Sequence, residues 1–149
     1  MLEFEIISKI IPENIMTWNR KVFLTFDIDW AHDEIIDDTL DLLKAYNIPI
    51  TFFVTHSTKI LEKVHLNPNF ELAAHPNFDF LLDSKLKKKT IDASDSILDI
   101  LKIVPDAKSV RSHSLTQSEK MIDIFIEKGF SHISNFFIPY GIGIDIKPY

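Results

Sequence analysis

Glycine is nearly missing from this chain. It occurs three times in 149 residues, at Gly129, Gly141 and Gly143, where average usage of roughly 7% would supply about ten. No glycine-rich phosphate cradle or dinucleotide fingerprint can therefore be built ahead of Gly129. Cysteine is absent altogether, which excludes disulfides and thiolate metal sites, so any bound metal must be held by His, Asp or Glu. No apolar run approaches the ~18 residues of a membrane span. The opening residues carry Glu3, Glu5 and Glu13 and lack a small-residue cleavage site, so no signal peptide is expected. Positive charge is scarce as well: the formal net charge is −6, which argues against a nucleic-acid partner, and the run Lys85–Lys89 reads as a solvated helix face. What remains is one soluble, cytoplasmic domain over residues 1–149, with neither a nucleic-acid nor a membrane partner.

What is present is an alternation of strand-like and helix-like segments. The strand-like runs are 22–26, 48–54, 70–74, 109–110 and 130–133. The first two are almost continuously apolar, as strands covered on both faces are. Between them, Ile36, Leu40 and Leu43 share a helical face behind an expected Asp33 cap, and Ile97, Leu101 and Val104 repeat the spacing before Pro105. Residues 57–64 form a shorter helix, and 76–89 read as loop with at most a turn of helix. Thr116-Gln-Ser-Glu119 reads as a capping box ahead of Met121, Ile122 and Phe125, and Gly129 stands where a left-handed C-cap is wanted. Residues 136–149 read as a frayed end. The order β-α-β-α-β-α-β-α-β predicts right-handed crossovers and a parallel α/β sheet.

In such sheets chemistry gathers at the carboxyl ends of the strands. Reading off those ends gives Asp27 and Asp29, then His56, then His75 and Asn77, then Arg111 and His113, then Ser134 and Asn135. Asp27 and Asp29 can divide labour around a divalent ion, one as ligand and one as base, or they can simply solvate a loop and cap the next helix. Pro76 holds His75 extended and stops its strand, leaving either a metal ligand or a backbone-bonded edge histidine. His113 is a ligand, a substrate contact or part of a helix start, and Ser57 beside His56 reads as an N-cap. Arg111 carries a fork that can orient Asp27 or fix a substrate anion.

Leu24-Thr-Phe-Asp-Ile-Asp-Trp30, Thr51-Phe-Phe-Val-Thr-His56, His75-Pro-Asn-Phe78 and Arg111-Ser-His-Ser114 together resemble the NodB-homology polysaccharide deacetylases (carbohydrate esterase family 4), in particular a divergent WbmS-like branch, over roughly residues 20–140. The resemblance implies parallel β/α units of a distorted (β/α) barrel, of which five strands fit in this chain and the C-terminal units are missing. It also implies metal-dependent hydrolysis of an N- or O-acetyl group on a sugar. Asp27 becomes the base and Asp29 and His75 become ligands of a divalent metal, zinc above all, with cobalt, nickel or iron as alternatives. Arg111 belongs with Asp27 in the catalytic set, and Asn77 and His56 become substrate contacts. The family's second motif has a further histidine four residues after the first; Asp79 stands there instead. Either Asp79 replaces that ligand, or His113 completes the set, or the set is incomplete, and His113 is preferred. The implied partners are a carbohydrate substrate and a complementing C-terminal half or a second copy.

Two other readings compete. A half-barrel could bind sugar or metal, or act as an interaction module, without turnover. A strand ending in Asp-x-Asp also opens the haloacid-dehalogenase-type phosphatases, although Trp30-Ala31 replaces the residues that fold prefers.

Overall fold

The computed structural model describes residues 3–81 and 92–138, with 143, 147 and 148. The lysine run 85–89 and most of the expected frayed end lie outside the described residues. Among the described residues seven strands are formed: β1 (Glu3–Phe4), β2 (Lys21–Val22), β3 (Leu24–Asp27), β4 (Ile50–Val54), β5 (Phe70–Ala74), β6 (Ser109–Val110) and β7 (His132–Ile133). Four α-helices accompany them: α1 (Asp33–Lys44), α2 (Ile60–His65), α3 (Ala93–Leu101) and α4 (Glu119–Glu127). Strands β3 to β7 form one parallel sheet in simple sequence order, while β1 and β2 pair as a separate parallel ribbon. The ribbon has no counterpart in the sequence reading, since two-residue strands carry too little pattern to see.

Alternation along the strands splits the sheet into two faces. Ile50, Phe52 and Val54 of β4, Ala74 of β5 and Val110 of β6 belong to the large core, together with Ile36, Leu40 and Leu43 of α1, Ile97 and Ile100 of α3, and Met121 and Phe125 of α4. The opposite face carries Thr51, Phe53, Glu71, Ala73, His75 and Ser109, all buried. This face is concave. In a flat sheet β3 and β6 would stand about 14 Å apart, three strand spacings. Yet Arg111, just after β6, donates from its guanidinium to Thr25 Oγ1 and Asp27 Oδ1 of β3 at 3.1 and 2.8 Å. The sheet is a curled half-barrel.

Residues near the N-terminus close the amino end of the concave face. The Ile7 N–H donates to Thr51 Oγ1 at 3.1 Å and the Ser8 N–H to Glu71 Oε2 at 3.3 Å. Glu71 also accepts from Thr51 Oγ1 and Ser109 Oγ, both at 2.7 Å. A buried carboxylate is costly unless its lone pairs are taken up by donors, and three donors from three segments do this here. His132 stands at the same end, with Nε2 2.8 Å from the Ile10 carbonyl oxygen.

Several sequence-based expectations shift. β3 is half-buried rather than covered on both faces, because it is an edge strand of its sheet. Asp33 is the first residue of α1, not its cap; His32 takes the cap position, and the Asp33 carboxylate accepts from Thr58 Oγ1 instead. The cap of α4 is Ser118, whose Oγ accepts from the Met121 N–H, because a 3-10 turn at His113–Leu115 delays the helix. On α3 the buried stripe is Ala93, Ile97 and Ile100, with Leu101 only partly covered. Gly129 takes φ +88°, as the expected left-handed C-cap requires.

Candidate metal and catalytic site

The carboxyl ends of β3, β5 and β6 converge at the open end of the concave face. On a regular strand, residues 27 and 29 would lie on the same face and progressively farther along the chain; the chain instead folds back. The buried Ile28 donates its N–H to the Phe53 carbonyl at 3.1 Å. Asp29 and Trp30 then take φ of +37° and +58°, and the Trp30 N–H donates to Thr55 Oγ1 at 3.1 Å. Two successive left-handed residues without glycine are unfavourable. This turn sets the Asp29 carboxylate beside Asp27 over the cleft, where both approach the same histidine.

That histidine is His75, 2% exposed. Its Nδ1 lies 2.6 Å from the Arg111 carbonyl oxygen. A carbonyl only accepts, so Nδ1 carries the proton and Nε2 presents a lone pair to the cleft. Nε2 is 3.3 Å from Asp29 Oδ1 and 3.9 Å from Asp27 Oδ2. His113 approaches from the far side, its Nδ1 3.2 Å from the same Asp29 oxygen. Its backbone N–H donates to the Pro76 carbonyl at 3.0 Å, and its ring packs edge-on against both His75 and Trp30. Ligand-type atoms of Asp29, His75 and His113 all lie within 4.8 Å of one another. Two imidazoles and one carboxylate form a donor set suited to zinc and related first-row ions, so these residues fit the group that the sequence implies.

Arg111 organises the other carboxylate. One terminal nitrogen donates to Asp27 Oδ1 at 2.8 Å and to Thr25 Oγ1. The second donates to Ser134 Oγ at 2.8 Å, and Nε donates to the Ser134 carbonyl at 3.1 Å. The guanidinium also lies 4.2 Å over the Phe53 ring. Asp27 Oδ2 stays available on the side facing His75. Asn135, the other residue read at the last strand end, is buried; its Oδ1 accepts from the Ser112 N–H and its Nδ2 donates to Ser112 Oγ, which braces the loop carrying His113.

A cavity of about 470 Å³ opens over the cluster, lined by Asp27, Asp29, His75, Arg111 and His113, with Leu115, Phe136 and Phe137 at its rim. His56 and Asn77 do not line it. His56 Nδ1 sits 3.0 Å from Thr55 Oγ1, and Asn77 Oδ1 accepts from the Asp79 N–H at 2.7 Å. The sequence reading had no signal for the rim: Phe136 and Phe137 lie in a stretch without periodicity, yet they stand 74% and 77% exposed. Thr25 and Thr55 were equally hidden, since a hydroxyl inside a strand pattern reads as ordinary β propensity.

Comparison with known proteins bears on this arrangement. A family model described as WbmS-like polysaccharide deacetylase matches residues 24–149. A crystal structure of WbmS from Bordetella bronchiseptica, assigned as a polysaccharide deacetylase involved in O-antigen biosynthesis, is 40% identical. It superposes with a TM-score of 0.86 over 95% of this chain, and the match takes in 57% of that chain. BA3943 from Bacillus anthracis, a pseudoenzyme of carbohydrate esterase family 4, is 19% identical over 74% of this chain and 41% of its own, with a TM-score of 0.49. A search of curated proteins found no match. The chain thus spans little more than half the length of the WbmS structure, and on the family match and the 40% identity it belongs to the WbmS-like polysaccharide deacetylases.

Proposed function

We propose that this chain carries the metal-binding and proton-transfer half of a deacetylase that hydrolyses an N- or O-acetyl group on a sugar or polysaccharide. The observation that carries the reading is the clustering of Asp29, His75 and His113 beside a separate, arginine-held Asp27. Asp29, His75 and His113 would hold a divalent ion, zinc in the first instance, with cobalt, nickel or iron as alternatives. Such an ion supplies Lewis acidity, which acidifies water and polarises a carbonyl. Asp27 acts as general base: Arg111 occupies Oδ1 and fixes the carboxylate plane, while Oδ2 is free to take a proton from the attacking water. The Arg111 carbonyl holds the Nδ1 proton of His75, so the lone pair of the neutral ring sits on Nε2, on the cleft side where the ion would be held. Arg111 is therefore part of the catalytic machinery through both ends of the residue. Asn77 and His56 keep a place as substrate contacts only if a long glycan reaches past the cavity.

The test is acetate release from a panel of N- and O-acetylated oligosaccharides in the presence of zinc. Release should fall at least a hundredfold in Asp27→Asn, the lower end of what a general base contributes. Undiminished release by that variant would rule out Asp27 as the base. A second reading, a sugar- or metal-binding module without turnover, is favoured by the edge positions of β3 and β7, which leave the curled sheet of the described residues unclosed. It is distinguished by metal and glycan binding without acetate release, restored when a complementing C-terminal half is supplied. A second copy of this chain is the alternative partner, and neither nucleic acid nor membrane is involved. Among the described residues no helix is long and apolar enough to cross a membrane, and a cytoplasmic location is part of the same proposal.

A further inference from the structure

Asp79 occupies the position where the family resemblance implies a second metal-binding histidine, yet its carboxylate is not among the three clustered groups. It lies on the outer side of His113, with Oδ2 3.8 Å from His113 Nε2, while Nδ1 of the same ring faces Asp29. The segment that carries it is built to hold it there. Phe78 is fully buried and packs on Phe125 of α4, which pins the chain one residue earlier. Asn77 Oδ1 accepts from the Asp79 N–H and starts the 3-10 turn Asp79–Leu81. Pro76 supplies the carbonyl that accepts from the His113 N–H. One short segment thus grips His113 at its backbone and sets a carboxylate against its outer nitrogen.

The geometry points to Asp79 as a positioning residue: it accepts the Nε2 proton of His113, so that Nδ1 keeps its lone pair for the ion. This rests on the reading that Asp29, His75 and His113 hold a divalent metal. It also gives each imidazole of the cluster an outer acceptor, the Arg111 carbonyl for His75 and the Asp79 carboxylate for His113, the usual means of setting a ligand's tautomer. At 3.8 Å the pair is longer than a hydrogen bond, so the proposal requires the half-exposed Asp79 side chain to turn toward the ring. Asn77 then acts one step further out, by fixing the turn that presents Asp79.

Two measurements test this together. Nitrogen-15 NMR of the metal-free protein, at a pH where the ring is neutral, reports the His113 tautomer. Asp29 competes for the proton at Nδ1, so the expected result is a difference: the Nε2–H share should be lower in Asp79→Ala than in the wild type. Zinc titration should then show affinity lowered 10–100-fold in Asp79→Ala, with partial recovery in Asp79→Asn, whose amide oxygen can still accept. A loss of zinc binding in Asp79→Ala as complete as in His113→Ala would make Asp79 a direct ligand and overturn the inference. An unchanged tautomer with unchanged affinity would overturn it too. Wild-type protein that takes up no zinc would instead refute the metal reading, while the tautomer shift would still decide whether Asp79 acts on His113.

Discussion

With its guanidinium donating to Thr25, Asp27 and Ser134 and its carbonyl accepting from His75, Arg111 joins both edges of the sheet to the cluster. Hydrogen bonds to charged groups contribute about 1.5–3 kcal/mol each, and truncation here would strand several partners. Arg111→Ala should therefore lower stability by about 2–3 kcal/mol in urea denaturation, and Arg111→Lys should recover only part, because an ammonium lacks the fork. A midpoint indistinguishable from wild type would show that the bridge is not needed to hold the curl. Asp29 makes the opposite case. Its φ of +37° is conformation that an L side chain adopts at a cost, of order 1–2 kcal/mol. Asp29→Gly should be at least as stable as the wild type by thermal melting, yet unable to hold zinc. A clear fall in melting temperature would mean that the turn is not strained.

At the scale of elements, strand content was legible because burial writes itself into composition. β4 is buried along its whole length, and its apolar run needs no neighbour to interpret. The Asp, His and Arg residues at strand ends were legible for a different reason: in a parallel α/β sheet chemistry gathers at the carboxyl ends of the strands. Capping was less so. Thr116 and Ser118 are equally good caps by type, and the choice fell to Ser118 because the strained turn at Ser114 and Leu115 delays the helix. Glu71 was invisible as a structural residue, since a glutamate in a strand of mixed pattern reads as solvent-facing. In the structure its carboxylate gathers β4, β6 and the chain before β2 at the amino end of the half-barrel. Glu71→Ala should cost about 2–3 kcal/mol by leaving buried donors unpaired. It should also speed hydrogen exchange at the Ile7 and Ser8 amides more than at those of β4. Uniform exchange across the chain would argue that the N-terminal segment is held by packing alone.

For the whole molecule, five parallel strands in sequence order make a curled sheet with chemistry at one end and a polar plug at the other. The plan follows from the alternation of β and α segments. The curl was legible only through the resemblance to a distorted (β/α) barrel, because no local pattern records the separation of the strands that Arg111 spans. The proposed division of labour between the two aspartates, which the family resemblance implies, is supported by the assembled sheet: Asp27 is turned to Arg111, and Asp29, two residues on, to the two histidines. That division is the central claim, and calorimetric zinc titration of the purified chain tests it most directly. One ion per chain should bind to the wild type and to Asp27→Asn, with none bound by Asp29→Ala or His75→Ala. Wild-type protein that binds no zinc, or an Asp27→Asn variant as deficient as Asp29→Ala, would contradict the account.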